Sequence, residues 1–143
     1  MRYTDPHHVD SPKNAVSGLM PVYDGGEWKM SVALLKWEGE DSVAMRWNGG
    51  TVENGQKPTP GNPQSRGLPT WFVLDQQFES VILKALLEKD LIGGGTIDRD
   101  KAEKSIRNAI TSRGEKIEAD IPSDDLEDKI IAVIQRLKSE GKT

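Results

Sequence analysis

The chain contains no cysteine. That excludes a disulfide framework, a cysteine nucleophile and any thiolate metal site. Histidine is nearly as scarce, with only His7 and His8, both close to the N-terminus. A metal centre built on them needs further ligands at defined spacing, and none is evident, so no cofactor or metal is expected. No apolar run approaches the roughly 20 residues that crossing a bilayer takes. The opening Met1-Arg2-Tyr3-Thr4-Asp5-Pro6-His7-His8 lacks the apolar core of a signal peptide. The expectation is a cytoplasmic protein with no membrane partner. An excess of positive charge is also missing: the formal net charge is -4 over 143 residues. This argues against a bulk electrostatic footprint for duplex DNA and leaves open only a local groove.

What the chain does have is the pattern of an α+β protein. Residues 1–18 hold Pro6, Pro12 and Gly18 with no apolar periodicity, and read as a flexible N-terminal tail. Residues 19–92 read as an antiparallel sheet of about three to five strands packed by one helix. Leu19–Tyr23 is a short strand and Asp24-Gly25-Gly26 a turn. In Trp28–Trp37, alternation places Met30, Val32, Leu34 and Lys36 on one face and Ser31, Ala33, Leu35 and Trp37 on the other. Glu38-Gly39-Glu40-Asp41 makes the connection to a return strand, Ser42–Trp47. Residues 49–69 are rich in glycine and proline and read as a long loop, which in a compact domain tends to be functional or mobile. Thr70–Leu74 is a further strand.

Asp75 is placed to cap a helix over 76–90, with Phe78, Val81, Ile82, Ala85 and Leu86 as its apolar stripe, widened by Leu83 and Leu87. Residues 93–143 read as a C-terminal helical appendage of two helices. One starts near Asp100, where Asp100 and Glu103 resemble a capping box, and carries Ala102, Ile106, Ala109 and Ile110. A short strand over Ile117, Ala119 and Ile121 leads to the second, which opens at Pro122-Ser123 and carries Leu126, Ile130, Val133, Ile134 and Leu137.

Candidate chemistry concentrates in two places. The loop Gly61-Asn62-Pro63-Gln64-Ser65-Arg66-Gly67-Leu68-Pro69 is dense in hydrogen-bonding side chains. Arg66 can grip a phosphate or carboxylate with its planar fork. Asn62, Gln64 and Ser65 can contact a polar partner, or instead satisfy the loop's own backbone. Ser65 sits in only part of a nucleophile-elbow pattern, because Pro63 stands where the first glycine belongs. Four tryptophans lie in the strand region, and two neighbour a cation, as Lys36-Trp37 and Arg46-Trp47. Aromatics interleaved with cations suit single-stranded DNA or RNA, on which bases stack while cations track the backbone. The alternative is that the rings are packing residues. Residues 19–92 hold seven Lys or Arg against ten Asp or Glu, which is -3, so such a groove has to be local.

Gly93-Gly94-Gly95-Thr96 before a helix lacks the Lys-Ser/Thr pair of a phosphate loop and reads as a connector. Asp98 and Asp100 do not extend to a calcium loop. No set of acid, base and nucleophile can be assembled, and the chain is expected not to be an enzyme. Two functions stay open at this point. One is a single-stranded nucleic-acid binding module using Trp37, Arg46, Trp47, Arg66 and Trp71. The other is a non-enzymatic accessory protein that contacts a protein partner through residues 49–69.

Two resemblances bear on this. Tyr23-Asp24-Gly25-Gly26, Lys36-Trp37-Glu38-Gly39, Met45-Arg46-Trp47-Asn48-Gly49 and the loop through Phe72-Val73-Leu74 resemble a widespread group of bacterial proteins of uncharacterised activity. That resemblance covers residues 20–88. More distantly, the strands followed by Thr70-Trp71-Phe72-Val73-Leu74-Asp75 and the helix from Gln76 resemble the C-terminal half of the transcriptional coactivator p15 (PC4-like) fold. This second resemblance implies single-stranded DNA binding by a homodimer through a curved sheet. The lysine richness of that family is absent here, and residues 93–143 have no counterpart in it.

Overall fold

A computed structural model of the chain describes residues 4–51, 57–114 and 134. Three long strands dominate it: β1 (Val16–Asp24), β2 (Met30–Trp37) and β3 (Glu40–Trp47). Two short pairs follow, β4 (Gln64–Ser65) with β5 (Leu68–Pro69), and β6 (Phe72–Val73) against β3. The helices are α1 (Gln76–Glu88) and α2 (Arg99–Ser112). The main sheet is antiparallel, in the order β1-β2-β3-β6, so the fold is α+β as expected. The expected strand at 117–121 and the helix from Pro122 lie outside the described residues.

The register explains the composition of the strands. β2 and β3 pair without a slip from Met30↔Trp47 to Trp37↔Glu40. Side chains alternate across a sheet, and the structure keeps the two expected faces of β2 apart. Val32 joins Val22, Val43, Leu83, Leu86, Ile106 and Ile110 in one core under the two helices, with Leu34 and Met45 packed against it. Ala33 and Leu35 join Val9, Val16, Ala44 and Trp71 in a second core on the other side, with Trp37 against it. Burial on both faces is why Val32-Ala33-Leu34-Leu35 is continuously apolar rather than alternating.

The second core depends on residues that the sequence assigns to a tail. Pro6–His8 form a 3-10 turn capped by Asp5, whose side chain accepts from His7 N at 2.9 Å. Val9 is fully buried, and its carbonyl accepts the Trp71 indole N–H at 2.6 Å. Ser11 O accepts from Thr70 Oγ1 at 2.6 Å. Residues 5–16 are therefore a packed layer of the fold. Their few apolar residues follow no period because they sit on a 3-10 turn and irregular backbone rather than on one regular element.

Both helix starts show side-chain capping. Asp75 accepts from Gln77 N at 2.9 Å, as its position implies. The cap of α2 is Asp98, which accepts from Lys101 N at 3.2 Å, two residues before the expected start. The buried face of α2, Ala102, Ile106 and Ile110, is the expected one. In α1 the core takes Glu79, Leu83 and Leu86, while Phe78 and Val81 point outward. The helix is rotated from its expected stripe because Glu79 has work on the inner side. Glu79 Oε2 accepts Val43 N at 2.9 Å, where β6 no longer covers β3, and its Oε1 pairs with Arg113 Nε at 3.0 Å. An acceptor there satisfies an edge N–H that would otherwise be buried unpaired.

Candidate interaction surface around the end of strand β3

The segments that stand out in the sequence converge at the C-terminal end of β3. Asn48 Nδ2 donates to Asp24 Oδ1 at 3.0 Å and to Gly26 O at 2.8 Å. Ser31 Oγ lies 2.7 Å from Asn48 Oδ1 and 3.3 Å from Asp24 Oδ1. Asp24 also accepts Gly26 N at 2.9 Å. This buried network ties the Asp24-Gly25-Gly26 turn to Asn48. It fixes where the chain goes after β3, because a buried polar group left unpaired costs about 1–3 kcal/mol.

The backbone then doubles back at very close range. Trp47 N donates to Asn62 O at 2.8 Å and Asn62 N to Trp47 O at 3.1 Å. Gly50 and Thr59 exchange a second pair at 3.0 Å each. Gly61 (φ +90°) admits this approach: a Cβ there would stand 1.9 Å from Trp47 O. The far part of the expected long loop is thus held to β3 by a ladder of its own.

Arg46 lies beneath this return and is only 1% exposed. Nη1 donates to Thr70 O at 2.5 Å and Nη2 to Pro60 O, while Nε is buried without a partner. Burial pushes its guanidinium down from its ordinary value to about 10. Trp71 is 3% exposed in the second core. The expectation that Arg46 and Trp71 line a binding face is therefore corrected: both side chains point inward. The physical reason lies in strand geometry. Neighbours along a strand point to opposite faces, so Arg46 and Trp47 are separated by the sheet, as are Lys36 and Trp37. The same alternation puts Trp37 on the face of the second core, opposite to Trp47.

The outward residues are different ones. Gln64–Pro69 form a two-residue hairpin whose turn is Arg66-Gly67, with φ of 53° and 79°. Positive φ at both turn positions matches the right-handed twist of the flanking strands. Asn62, Gln64, Ser65, Arg66 and Leu68 are all exposed. Only Gln64 turns back, donating Nε2 to Gly61 O at 2.8 Å. Beside the hairpin, Trp47 and Phe72 are 51% and 62% exposed. Phe72 pairs with Met45, two residues from Trp47, so the two rings share one face as diagonal neighbours about 7–8 Å apart. Sequence reasoning passed over Phe72 because it lies next to Trp71; period-two alternation from the buried Trp71 would have found it.

Another feature missed in the sequence involves His7. Its Nδ1 lies 3.0 Å from Asp5 Oδ1 and 3.4 Å from Thr96 Oγ1. It lines a cleft of about 240 Å³ with Leu19, Met20, Ile97 and Lys101. Among the described residues no group of His, Asp and Glu is arranged to hold a metal ion, and no helix is long and apolar enough to cross a membrane.

These features define an antiparallel α+β unit that exposes Trp47, Phe72 and the hairpin Gln64–Pro69. No protein-family model, curated protein or solved structure matches the chain.

Proposed function

We propose that this protein is a non-enzymatic interaction module that engages a protein partner through the hairpin Gln64–Pro69 together with Trp47 and Phe72. One observation carries the reading: Trp47, Leu68 and Phe72 are all more than half exposed around a hairpin held in place by backbone hydrogen bonds. Large apolar side chains grouped on a surface and rimmed by polar ones mark contact sites. Aromatic residues and Arg are the types that anchor protein interfaces. Here Arg66 stands at the tip, with Gln64 and Ser65 as the polar rim.

Single-stranded nucleic acid is the weaker reading. Of Trp37, Arg46, Trp47, Arg66 and Trp71, only Trp47 and Arg66 are exposed, and Trp37 is half-buried on the opposite face. A strand of bases needs successive stacking rings and several cations along one groove.

Two measurements separate the readings. Partners captured by the wild-type chain are compared with those captured by Trp47→Ala, Phe72→Ala and Arg66→Ala. The expected result is loss of the same partner in all three variants. In parallel, tryptophan emission is followed while short single-stranded DNA or RNA is added at low salt. The expected result is no quenching at tens of micromolar. Salt-sensitive quenching that Trp47→Ala removes would overturn the protein-partner reading in favour of nucleic acid.

A further inference from the structure

The cleft beside His7 has a cause in the course of the chain. Gly93 pairs with β1 in parallel: its N–H donates to Val22 O, and Asp24 N donates to Gly93 O, at 2.9 Å each. The chain then turns away from β1, and Ile97 N donates to Gly94 O at 3.1 Å before α2 begins. That turn leaves a gap of about 240 Å³ between residues 19–21 of β1, the start of α2 and the 3-10 turn Pro6–His8. Met20 packs against the core under the helices and Leu19 against the second core, so the gap runs across the edge of β1. β1 and β6 are opposite edges of the sheet, which separates this cleft from Phe72.

The lining divides by chemistry. Ala102 is buried and Leu19, Met20 and Ile97 are half-buried, so the walls are apolar, while Thr96, Asp98 and Lys101 are exposed at the rim. Apolar walls with a few convergent polar groups are the pattern of a small-molecule site. The rim charges are of both signs and are not engaged with each other. Asp98 Oδ1 accepts Lys101 N at 3.2 Å as the cap of α2, but its carboxylate and the Lys101 ammonium form no ion pair among the described residues. The third ionisable group, His7, is already engaged, with Nδ1 at 3.0 Å from Asp5 Oδ1. With Nδ1–H directed at that carboxylate, the Thr96 hydroxyl 3.4 Å away keeps its proton to donate. A cavity of about 150 Å³ holds a benzene ring. This one therefore suits a molecule of about ten non-hydrogen atoms, below the usual size of a drug-like ligand.

We propose that the cleft binds a free α-amino acid with an apolar side chain the size of that of leucine or methionine. The α-carboxylate meets Lys101 and the Thr96 hydroxyl, the α-ammonium meets Asp98, and the side chain lies against Leu19, Met20, Ile97 and Ala102. A zwitterion matches a rim that carries one unpaired charge of each sign. A simple carboxylate would leave Asp98 facing it, and a simple amine would leave Lys101 facing it, and like charges repel.

The test is a titration of the full chain, followed by its amide chemical shifts, with three ligands. They are L-leucine, 4-methylpentanoate, which lacks the amine, and 3-methylbutylamine, which lacks the carboxylate. L-Leucine should give saturable shifts centred on Met20, Ile97, Lys101 and Ala102. Each comparator should bind about fivefold more weakly, the scale of one exposed charge contact. Two variants at exposed positions then assign the charges. Asp98→Asn keeps a capping side chain and should lower leucine to the affinity of 4-methylpentanoate. Lys101→Met keeps an apolar stem and should lower leucine to the affinity of 3-methylbutylamine. No saturable shift at tens of millimolar leucine would overturn the proposal, as would shifts centred on Trp47 and Phe72. Equal binding of all three ligands to the wild type, or variants that bind leucine as well as the wild type does, would overturn it too and leave an apolar cleft without amino-acid recognition.

Discussion

Two regions meet at the end of β3 and use the same kinds of residue for opposite ends. In the inner region Arg46, Asn48, Asp24 and Ser31 are buried; Asn48 is joined to Asp24 and Ser31, and Arg46 to the carbonyls of Thr70 and Pro60. In the outer region Arg66, Gln64 and Ser65 are exposed on a hairpin whose own turn holds its shape. An arginine in the first is a bracket between two backbone carbonyls, and an arginine in the second is free of described side-chain bonds. Residue type therefore says little here about role. The face of the strand and the direction of the turn decide it.

That comparison breaks most sharply at Gly61. Gly61→Ala would drive a Cβ into Trp47 O, a backbone atom held by the ladder, at a positive φ that disfavours alanine. The expected loss is about 2–4 kcal/mol by mechanisms of strain and broken hydrogen bonds. Chemical denaturation should show it as a lowered midpoint. The same change at Gly67, where a Cβ would meet nothing within 4 Å, should cost only its backbone strain, about 1–2 kcal/mol. Equal losses at the two glycines would mean the return of the loop onto β3 is not what fixes the inner region.

Arg46→Met tests the bracket itself. It removes the donors to Thr70 O and Pro60 O, and it also removes a charge whose burial is costly. The two terms oppose, and the loss of paired carbonyls should leave a net destabilisation of about 1–3 kcal/mol near neutral pH. The sign of the pH dependence follows from the lowered value. The folded guanidinium titrates near 10, below its ordinary value in the unfolded chain, so the unfolded state binds more protons between the two. Stability of the wild type relative to Arg46→Met should then rise with pH through that window. A flat difference in urea unfolding from pH 9 to 11 would mean that Arg46 carries its charge at no penalty.

Much of the sheet and helix framework is legible in the sequence, and the rest is hidden for a definable reason. Alternation along β2 sorted its side chains onto the correct faces, and Asp75 marked the start of α1. The pairing of Arg46 with Trp47 as one site failed because adjacency in sequence is opposition in a strand. The α1 stripe differs from the buried face because it is drawn through apolar residues alone, whereas Glu79 turns inward and closes the edge of β3. Residues 5–16 read as a tail because a packed layer of 3-10 turn and irregular backbone has no period to detect. None of these depends on residue type alone; each needs a partner remote in the chain.

Arg66→Asn sharpens the comparison from the outer side. Arg66 holds a φ of 53° in a tight turn, a conformation that asparagine adopts more readily than arginine. The variant should be as stable as the wild type or more stable by about 0.5 kcal/mol, while losing the planar fork that a partner would meet. Unchanged melting together with lost partner binding would separate the outer region from the inner one. A clear loss of stability would place Arg66 with Arg46 as a folding residue.

The smallest effect is expected where the N-terminal layer is capped. Burial raises the carboxyl of Asp5, but hydrogen bonds from the His7 backbone and ring outweigh it and hold the group below its usual 3.8. A lowered folded value means that the contribution is present above the unfolded value and is lost as pH falls through the folded one. Asp5→Asn should therefore loosen Pro6–Val9 modestly at pH 6, and the difference from wild type should close as pH falls through the lowered folded value of the carboxyl. Amide exchange at His8 and Val9, whose N–H groups donate to Asp5 O and Pro6 O, reads this directly. Because Val9 O holds the Trp71 indole, the loosening should also reach Trp71, shifting its emission to longer wavelength at pH 6 and not once the carboxyl is protonated. A difference that persists after the carboxyl is protonated would show that the Asp5 side chain acts by shape and not by charge, and would remove the carboxylate from the account of how this layer is held.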